Sequence, residues 1–591
     1  TGAKPFSGEY DPAVLYAILE TEPGPIDTYR HDAPEGLSTV LARALAKDPA
    51  GRYQSAGELI ADLQPLAGSM APSAPPSARG PTLRRVGWPL YAGGAAVLGA
   101  LAIALILLTT QSPRTPAIRS LAVLPFRSTS AKLDDTVFAE GMTEALSTEL
   151  SRIRALAVRS SRSAMRFRDS DKPLTEIARE LNVDALVDGS TQLSGTSVRV
   201  SVSLINVSPE RQIWGENYTE QIEDINALQG NVAAAIAREI SVVLTPEEQA
   251  RLHGGKPVNV EAYEQCVYGR YYWNKWTAAG FQKSLASFRA AAATDPSYAP
   301  AYAGIADVYA TLWYMGMVPF DSVEPFWRSA AQKALALDPA MAEGHVSLAS
   351  TRLVYDWDWA GAEQELQRAF LLNPGYATGH HWYALLLSAA GRHDSAISEI
   401  HRALELDPLS VIILASAGWI HIHARSFDEA IAHFRKAIDL DSLCAPAHSG
   451  LGEIFEMQGM DREALAEYLR VARVTGGSFA TLGGAAADPA SRLESAYRAA
   501  GWRGYWEEQL TQLEEQSHRR YVSAFHIASV LARLKRTDEA FRWLEKAYGE
   551  RSTNFLFLNV DPNLTSLRED ARFGALARRI GLTPLPRTAA K

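Results

Sequence analysis

The 591-residue sequence predicts a multidomain, mainly α chain: a solenoid of helical hairpins over residues 259–590, a small α/β domain over 116–246 and one transmembrane helix over 86–112. Three observations predict it. The C-terminal half is self-similar at a fixed period, a period-two strand pattern precedes it, and no charged residue occurs from Val86 to Pro113. A chain of this length exceeds what one core supports, so its parts are read separately. The formal charge of -9 supplies no basic field, and no nucleic-acid partner is expected. Cys266 and Cys444 are far apart, with no CxxC pair. Cysteine-based zinc sites are therefore not expected, while a disulfide between the two stays open.

In residues 1–67, Asp11 and Pro12 supply an N-cap and first-turn proline for a helix carrying Val14, Leu15, Ile18 and Leu19. A second helix is expected from Pro34, with Leu37, Val40, Leu41, Ala44 and Leu45 on one face, and a third from Ser55, where Glu58 completes a capping box. The stretches TGAKPFSGEYDPAVLYAILETEP and LARALAKDPAGRYQSAGELIADL resemble the last third of the C-lobe of bacterial Ser/Thr protein kinases, through Thr1-Gly2, Pro5-Phe6 and Asp48-Pro49 to Arg52. The resemblance implies a truncated kinase C-lobe in which Arg52 is a structural residue. In the family its partner is the glutamate of an APE motif, which nothing before Thr1 supplies. Ala33-Pro34-Glu35 spells that motif but follows Pro5-Phe6, and it is read as a helix start. A buried, unpaired Arg52 would leave this block poorly stable alone, and a chain truncated at its start is expected. The sequence has no Gly-rich phosphate loop, VAIK-like lysine, HRD loop or DFG, the parts by which kinases position phosphoryl transfer. No catalytic residue and no cofactor is assigned; ATP and Mg belong only to an intact kinase parent.

Residues 68–85 are rich in Pro, Ser, Ala and Gly and read as a linker. The following segment, WPLYAGGAAVLGALAIALILLTT from Trp88 to Thr110, is long enough to span a bilayer, with Arg84, Arg85 and Arg114 at its ends and Trp88 and Tyr91 placed for an interface. Lys/Arg counts do not orient it. The kinase resemblance does, implying a single-pass bacterial inner (plasma) membrane protein with its N-terminal side cytoplasmic and its C-terminal domains extracytoplasmic.

Strands are expected at Ile118 to Phe126, Leu156 to Arg159, Ala185 to Val187 and Ser197 to Leu204, where Val198, Val200, Val202 and Leu204 alternate after a turn at Ser194-Gly195. Helices are expected at Phe138 to Ile153, Leu174 to Leu181 and Asn226 to Leu244, packed on one mixed sheet. LAVLPF, AEGMTEALSTEL, LTEIARELNVDALVDGS and QIWGENY resemble the TolB-like domain that precedes tetratricopeptide arrays in bacterial signalling proteins. That resemblance implies an accessory binding module with no catalytic constellation. Glu140, Glu144 and Glu149 are read as a solvated helix face.

The dipeptides Asp295-Pro296, Asp338-Pro339, Asn373-Pro374, Asp407-Pro408 and Asp441-Ser442 close successive hairpins, and the last three intervals match the tetratricopeptide period of about 34 residues. The longer first interval places an inserted loop at Gly316 to Asp321. Ala362 and Ala369, Ala396 and Ala403, and Ala430 and Ala437 recur around Leu366, Ile400 and Phe434, with Ala384, Gly418 and Gly452 at the matching site of the first helix and Gly391 and Gly459 in the turn. DEAFRWLEKAYGER repeats the pattern near the end, and the last stretch resembles a terminal cap. Stacked hairpins form a curved solenoid whose concave groove takes peptides. By the family's geometry, Tyr355, His381, Trp419 and His423 line that groove, against the alternative that each merely packs. His380, His381, His421 and His423 lack carboxylate or cysteine companions at ligand spacing, and no metal site is assigned. Gly450-Leu451-Gly452 looks like the start of a phosphate loop but is explained by packing.

The chain therefore reads as the membrane-anchored, protein-binding sensor portion of a bacterial Ser/Thr kinase, with protein or peptide ligands and homodimerisation as expected partners. The alternative is a non-enzymatic membrane adaptor that assembles a protein complex.

Overall fold

The computed structural model describes residues 36–44, 46, 53, 58–59, 61–62, 118–129, 132–477 and 488–584. They fall in two units, 1–113 and 114–591. In the first unit, the helix expected from Pro34 runs Leu37–Ala44 and buries Val40. Arg43 lies 4.3 Å over the Tyr53 ring and donates to Glu58 and Asp62 at 3.2 and 3.4 Å, while the Tyr53 hydroxyl donates to Asp62 at 2.9 Å. The helix expected after Asp11, the structural role of Arg52, the linker 68–85 and the segment 86–112 lie outside the described residues.

The expected transmembrane helix, and with it the single-pass inner-membrane location and its two-sided topology, is corrected: among the described residues no helix is long and apolar enough to cross a membrane. The most apolar of them, Val411–His423, has 13 residues, about 20 Å at 1.5 Å per residue against a hydrocarbon core of about 30 Å. The longest, Pro489–Ser517, carries charged side chains along its whole length and is kinked at Ala500 and Gly501.

The second unit begins with a sheet of β1 (Ser120–Val123), β2 (Arg127–Ser128), β3 (Ala157–Val158), β4 (Ala185–Ser194), β5 (Ser197–Val207) and β6 (Glu210–Gln221). Its order is β3-β1-β4-β5-β6, with β2 pairing on β4. β1 is parallel to β3 and β4, whereas β4, β5 and β6 form an antiparallel meander. Alternate residues face opposite layers, as the strand period requires. Leu121, Val123, Ala185 and Val187 meet Met142, Leu146 and Leu150 of helix Leu133–Ser151 and Val232 and Ile236 of helix Ile225–Glu239. Ala122, Leu124 and Leu186 instead meet Ile177, Ala178 and Leu181 of helix Leu174–Leu181.

From Val260 onward the helices pair as successive hairpins. The alanines that mark the repeat are fully buried, as are Ile400 and Phe434 between them. Gly418 and Gly450 sandwich Phe434: a Cβ at either position would lie 2.3 or 2.1 Å from its ring. Packing, as expected, accounts for Gly450 and also for Gly452, whose Cβ would meet Tyr468. Turn residues Gly391 and Gly459 take φ of 76° and 72°, and Arg425 adopts the same left-handed conformation at the equivalent place. The predicted insertion at Gly316 is a turn followed by the short helix Phe320–Ser322. Both cysteines are free thiols.

Candidate functional site

First helices of successive hairpins pack on one another, while second helices touch mainly their own hairpin and its immediate neighbours, so the first helices line the inside of the curve. That inner face is already in contact with the chain's own C-terminal segment. Trp313, on the first helix Ala299–Tyr314, donates from Nε1 to the Arg551 carbonyl at 3.1 Å, and Thr553 Oγ1 donates back to the Trp313 carbonyl at 2.9 Å. Phe557 lies 5.2 Å from the His423 ring, and Leu556 joins the core around Val346 and Leu386. Farther along, Asn563 donates to Glu453 at 3.3 Å, and Trp359 Nε1 donates to the Ile580 carbonyl at 2.6 Å. Residues 551–581 thus run across the first helices as a strap.

The four groove residues named from the sequence do not converge on one surface. Tyr355 is exposed (41%), stacked on Phe320 and covered on one side by the Arg328 guanidinium 4.2 Å from its ring. Trp419 is half-buried, meets Phe434 edge-on and donates to the Pro446 carbonyl at 3.2 Å. His381 is buried, with Nε2 2.8 Å from Ser416 Oγ, and burial followed by the nearby Arg162 charge pushes its pKa down to about 3. Nδ1 of His423 is 2.9 Å from Ser388 Oγ, and burial, then the charges of His393 and Arg568, push it down to about 3. Both imidazoles are neutral packing groups: His423 lies against Phe557 of the strap, whereas His381 shares Ser416 with the Tyr314 hydroxyl, 3.3 Å from its Oγ.

Of the other histidines weighed for metal binding, His380 belongs to a repeated clamp that the sequence reading missed. Its Nδ1 lies 2.7 Å from Glu399 and its Nε2 3.2 Å from the Pro374 carbonyl. His345 bridges Glu365 and Pro339 in the same way, and His448 bridges Glu467 and Ser442. Each clamp ties the second helix of a hairpin to the turn that precedes its first helix. The recurring His and Glu, one hairpin period apart, were the available signal. In the intervening hairpin their places are taken by Leu414 and His433.

The α/β domain is seated on the turns that mark the repeat. Ser163 Oγ donates to Asp407 at 2.5 Å and accepts from Leu409 N–H at 3.0 Å, and Ser151 Oγ donates to Asn373 at 3.1 Å. Glu144 is not on the solvated face expected of it. It pairs with Arg270 at 3.2 Å, which pairs with Asp307 at 3.1 Å, itself accepting from Ser347 Oγ at 3.2 Å. Glu140 and Glu149 likewise pair with Arg168 and Arg152. Burial raises the pKa of both Glu144 and Asp307, against the pull of Arg270. A second cluster fixes the last hairpin: Arg533 bonds Glu456 at 2.7 Å and lies 3.6 Å from the buried Glu453, whose pKa burial raises.

The family model described as tetratricopeptide repeat matches residues 384–445 and 416–478. The chain is 28% identical over 240 residues to a Rhizobium meliloti protein named "Putative adenylate cyclase 3", covering 40% of each. It is 40% identical over 75 residues to "Serine/threonine-protein kinase PknB" of Mycolicibacterium smegmatis, covering 13% of this chain and 12% of that one. The chain therefore spans less than half the length of either relative. Among solved structures, the tetratricopeptide protein YrrB, described as having an unusual peptide-binding site, is 23% identical with a TM-score of 0.21, covering 31% of this chain and 88% of that one. With its matched repeats and stacked hairpins, the chain is a tetratricopeptide-containing protein.

Proposed function

We propose that this chain is the protein-binding regulatory portion of a bacterial Ser/Thr protein kinase, in which the tetratricopeptide array senses a protein or peptide. The observation that carries the binding reading is the stack of hairpins, whose inner face already holds another segment of the chain, the short helical turns of residues 551–581, by backbone and aromatic contacts. A face that accepts its own chain this way has the donors, acceptors and rings for a foreign peptide. We assign Tyr355 and Trp419 as partner contacts, since their rings keep exposed area, His423 as a contact that opens when Phe557 of the strap lifts from its ring, and His381 as a buried neighbour of the same face. The kinase reading is supported by the motifs of residues 1–67 and by the 75-residue likeness to a kinase. The catalytic parts would reside elsewhere in the parent, where ATP and Mg would bind.

An antibody to the repeats, applied to source cells, tests this. A native product heavier than 64.4 kDa whose autophosphorylation changes when residues 118–584 are deleted is the expected result. An unchanged phosphorylation rate overturns it. A product of this chain's own mass favours the second reading, a non-enzymatic tetratricopeptide adaptor, which the matched repeats support by themselves.

A further inference from the structure

Three histidines from three consecutive helices meet where the repeated clamp is missing. His401 lies on the second helix His393–Leu406, His421 on the next first helix Val411–His423, and His433 on its partner Phe427–Leu440. One ring nitrogen from each falls within 4.8 Å of the others. Ring centroids are 5.2 to 5.9 Å apart, and His421 and His433 are stacked. His421 is only 3% exposed, and neither of its nitrogens has a hydrogen-bond partner. A buried imidazole with both nitrogens idle has given up its hydrogen bonds to water and regained none, so its retention calls for a ligand.

We propose that His401, His421 and His433 form a binding site for a borderline divalent transition-metal ion such as zinc, which clips two successive hairpins together.

Imidazole nitrogens suit this class of ion. In a tetrahedral site with metal–nitrogen bonds of about 2.0–2.1 Å, the ligand atoms sit roughly 3.3 Å apart. The rings therefore have to draw together, and the exposed His401 side chain has the freedom to do so. Glu429, four residues before His433 on the same helix, lies near the His421 and His433 rings and would offset part of the cation's charge. Three protein ligands leave a fourth position for water beside His401.

The period supplies an independent reason. Neighbouring hairpins place His and Glu in the clamp, whereas this one has Leu414 and His433. Without the clamp, this hairpin lacks one tie between its own two helices, and a metal held by His421 and His433 supplies it while His401 adds the preceding hairpin.

Zinc titration of the metal-free full chain by calorimetry, with cobalt absorption as a second readout, tests the site. The expected result is one ion per chain, at least about tenfold weaker binding in His401→Asn, and a zinc-induced rise in melting temperature that this variant lacks. His401 is exposed, so the variant should fold. A second variant, Leu414→His with His433→Glu, rebuilds the neighbours' clamp while removing one ligand, and it should lose zinc binding yet keep a cooperative melt. Zinc binding that is undetectable in the native chain, or unchanged in both variants, overturns the proposal.

Discussion

Ser163 donates to Asp407 across 244 residues of sequence, and the acceptor is one of the turn residues that mark the helical repeat. Asp407 is almost fully buried, so the bond joins two domains where water cannot replace it. Ser163→Ala also removes the acceptor for Leu409 N–H. The expected cost is about 1–3 kcal/mol, the usual penalty for a stranded buried polar group. Urea unfolding measures it, and a double-mutant cycle with Asp407→Asn should show coupling between the two sites.

Among the described residues, Arg270 is the one cation paired with both Glu144 and Asp307. Arg270→Met leaves two part-buried carboxylates without their shared cation and is expected to cost a few kcal/mol, at most the roughly 3–5 kcal/mol of breaking a fully buried pair. Adding Glu144→Gln and Asp307→Asn should recover much of that loss. If the single replacement melts like the native chain, the ion pairs contribute little to domain seating.

Gly418→Ala and Gly450→Ala each force a methyl group into the Phe434 ring. Overpacking of this kind costs about 1–3 kcal/mol. Phe434→Leu, itself destabilising, should shrink the added cost of either alanine, since the clash is with the ring. Thermal melts of the single and paired variants give the comparison.

Acid should loosen the strap. His381 and His423 titrate near 3 in the folded chain because they are buried, whereas an unfolded histidine titrates near 6.5. Between those values the unfolded chain binds protons that the folded chain refuses. Stability from these groups is therefore complete above about pH 6.5 and falls as pH drops towards 3, by up to about 1.4 kcal/mol per pH unit for each histidine. Replacing both with Gln should flatten melting temperature against pH between 6.5 and 4. A slope as steep as that of the native chain would assign the acid sensitivity elsewhere.

The repeat was legible because close helix packing demands small residues at fixed spacing, and Ala362, Ala396 and Ala430 are buried where that spacing places them. β5 was legible too, since its inward residues alternate. β6 was not: most of its side chains are exposed on this edge strand, so it carries little apolar period to read. Glu144 was misread because helical position alone does not reveal that Arg270, from a helix more than a hundred residues away in sequence, would be brought opposite it. For the inner face, the sequence supplied His381 and His423 but not the strap that meets His423, because nothing in residues 551–581 shows locally that the chain returns to Trp313. The histidine trio was missed for a related reason. His421 drew attention, but its companions lie on two other helices.

The contact between Trp313 and Arg551 has a consequence for how such an array can change. Open solenoids interact only between neighbours, so they tolerate gain or loss of a unit and can unravel from an end. Here the last hairpin is bonded to the second, which makes the repeat number a closure condition. A duplicated hairpin would carry Arg551 past its partner, and a deleted one would stop it short. The array should therefore melt as a single block and resist the duplication by which its open relatives lengthen.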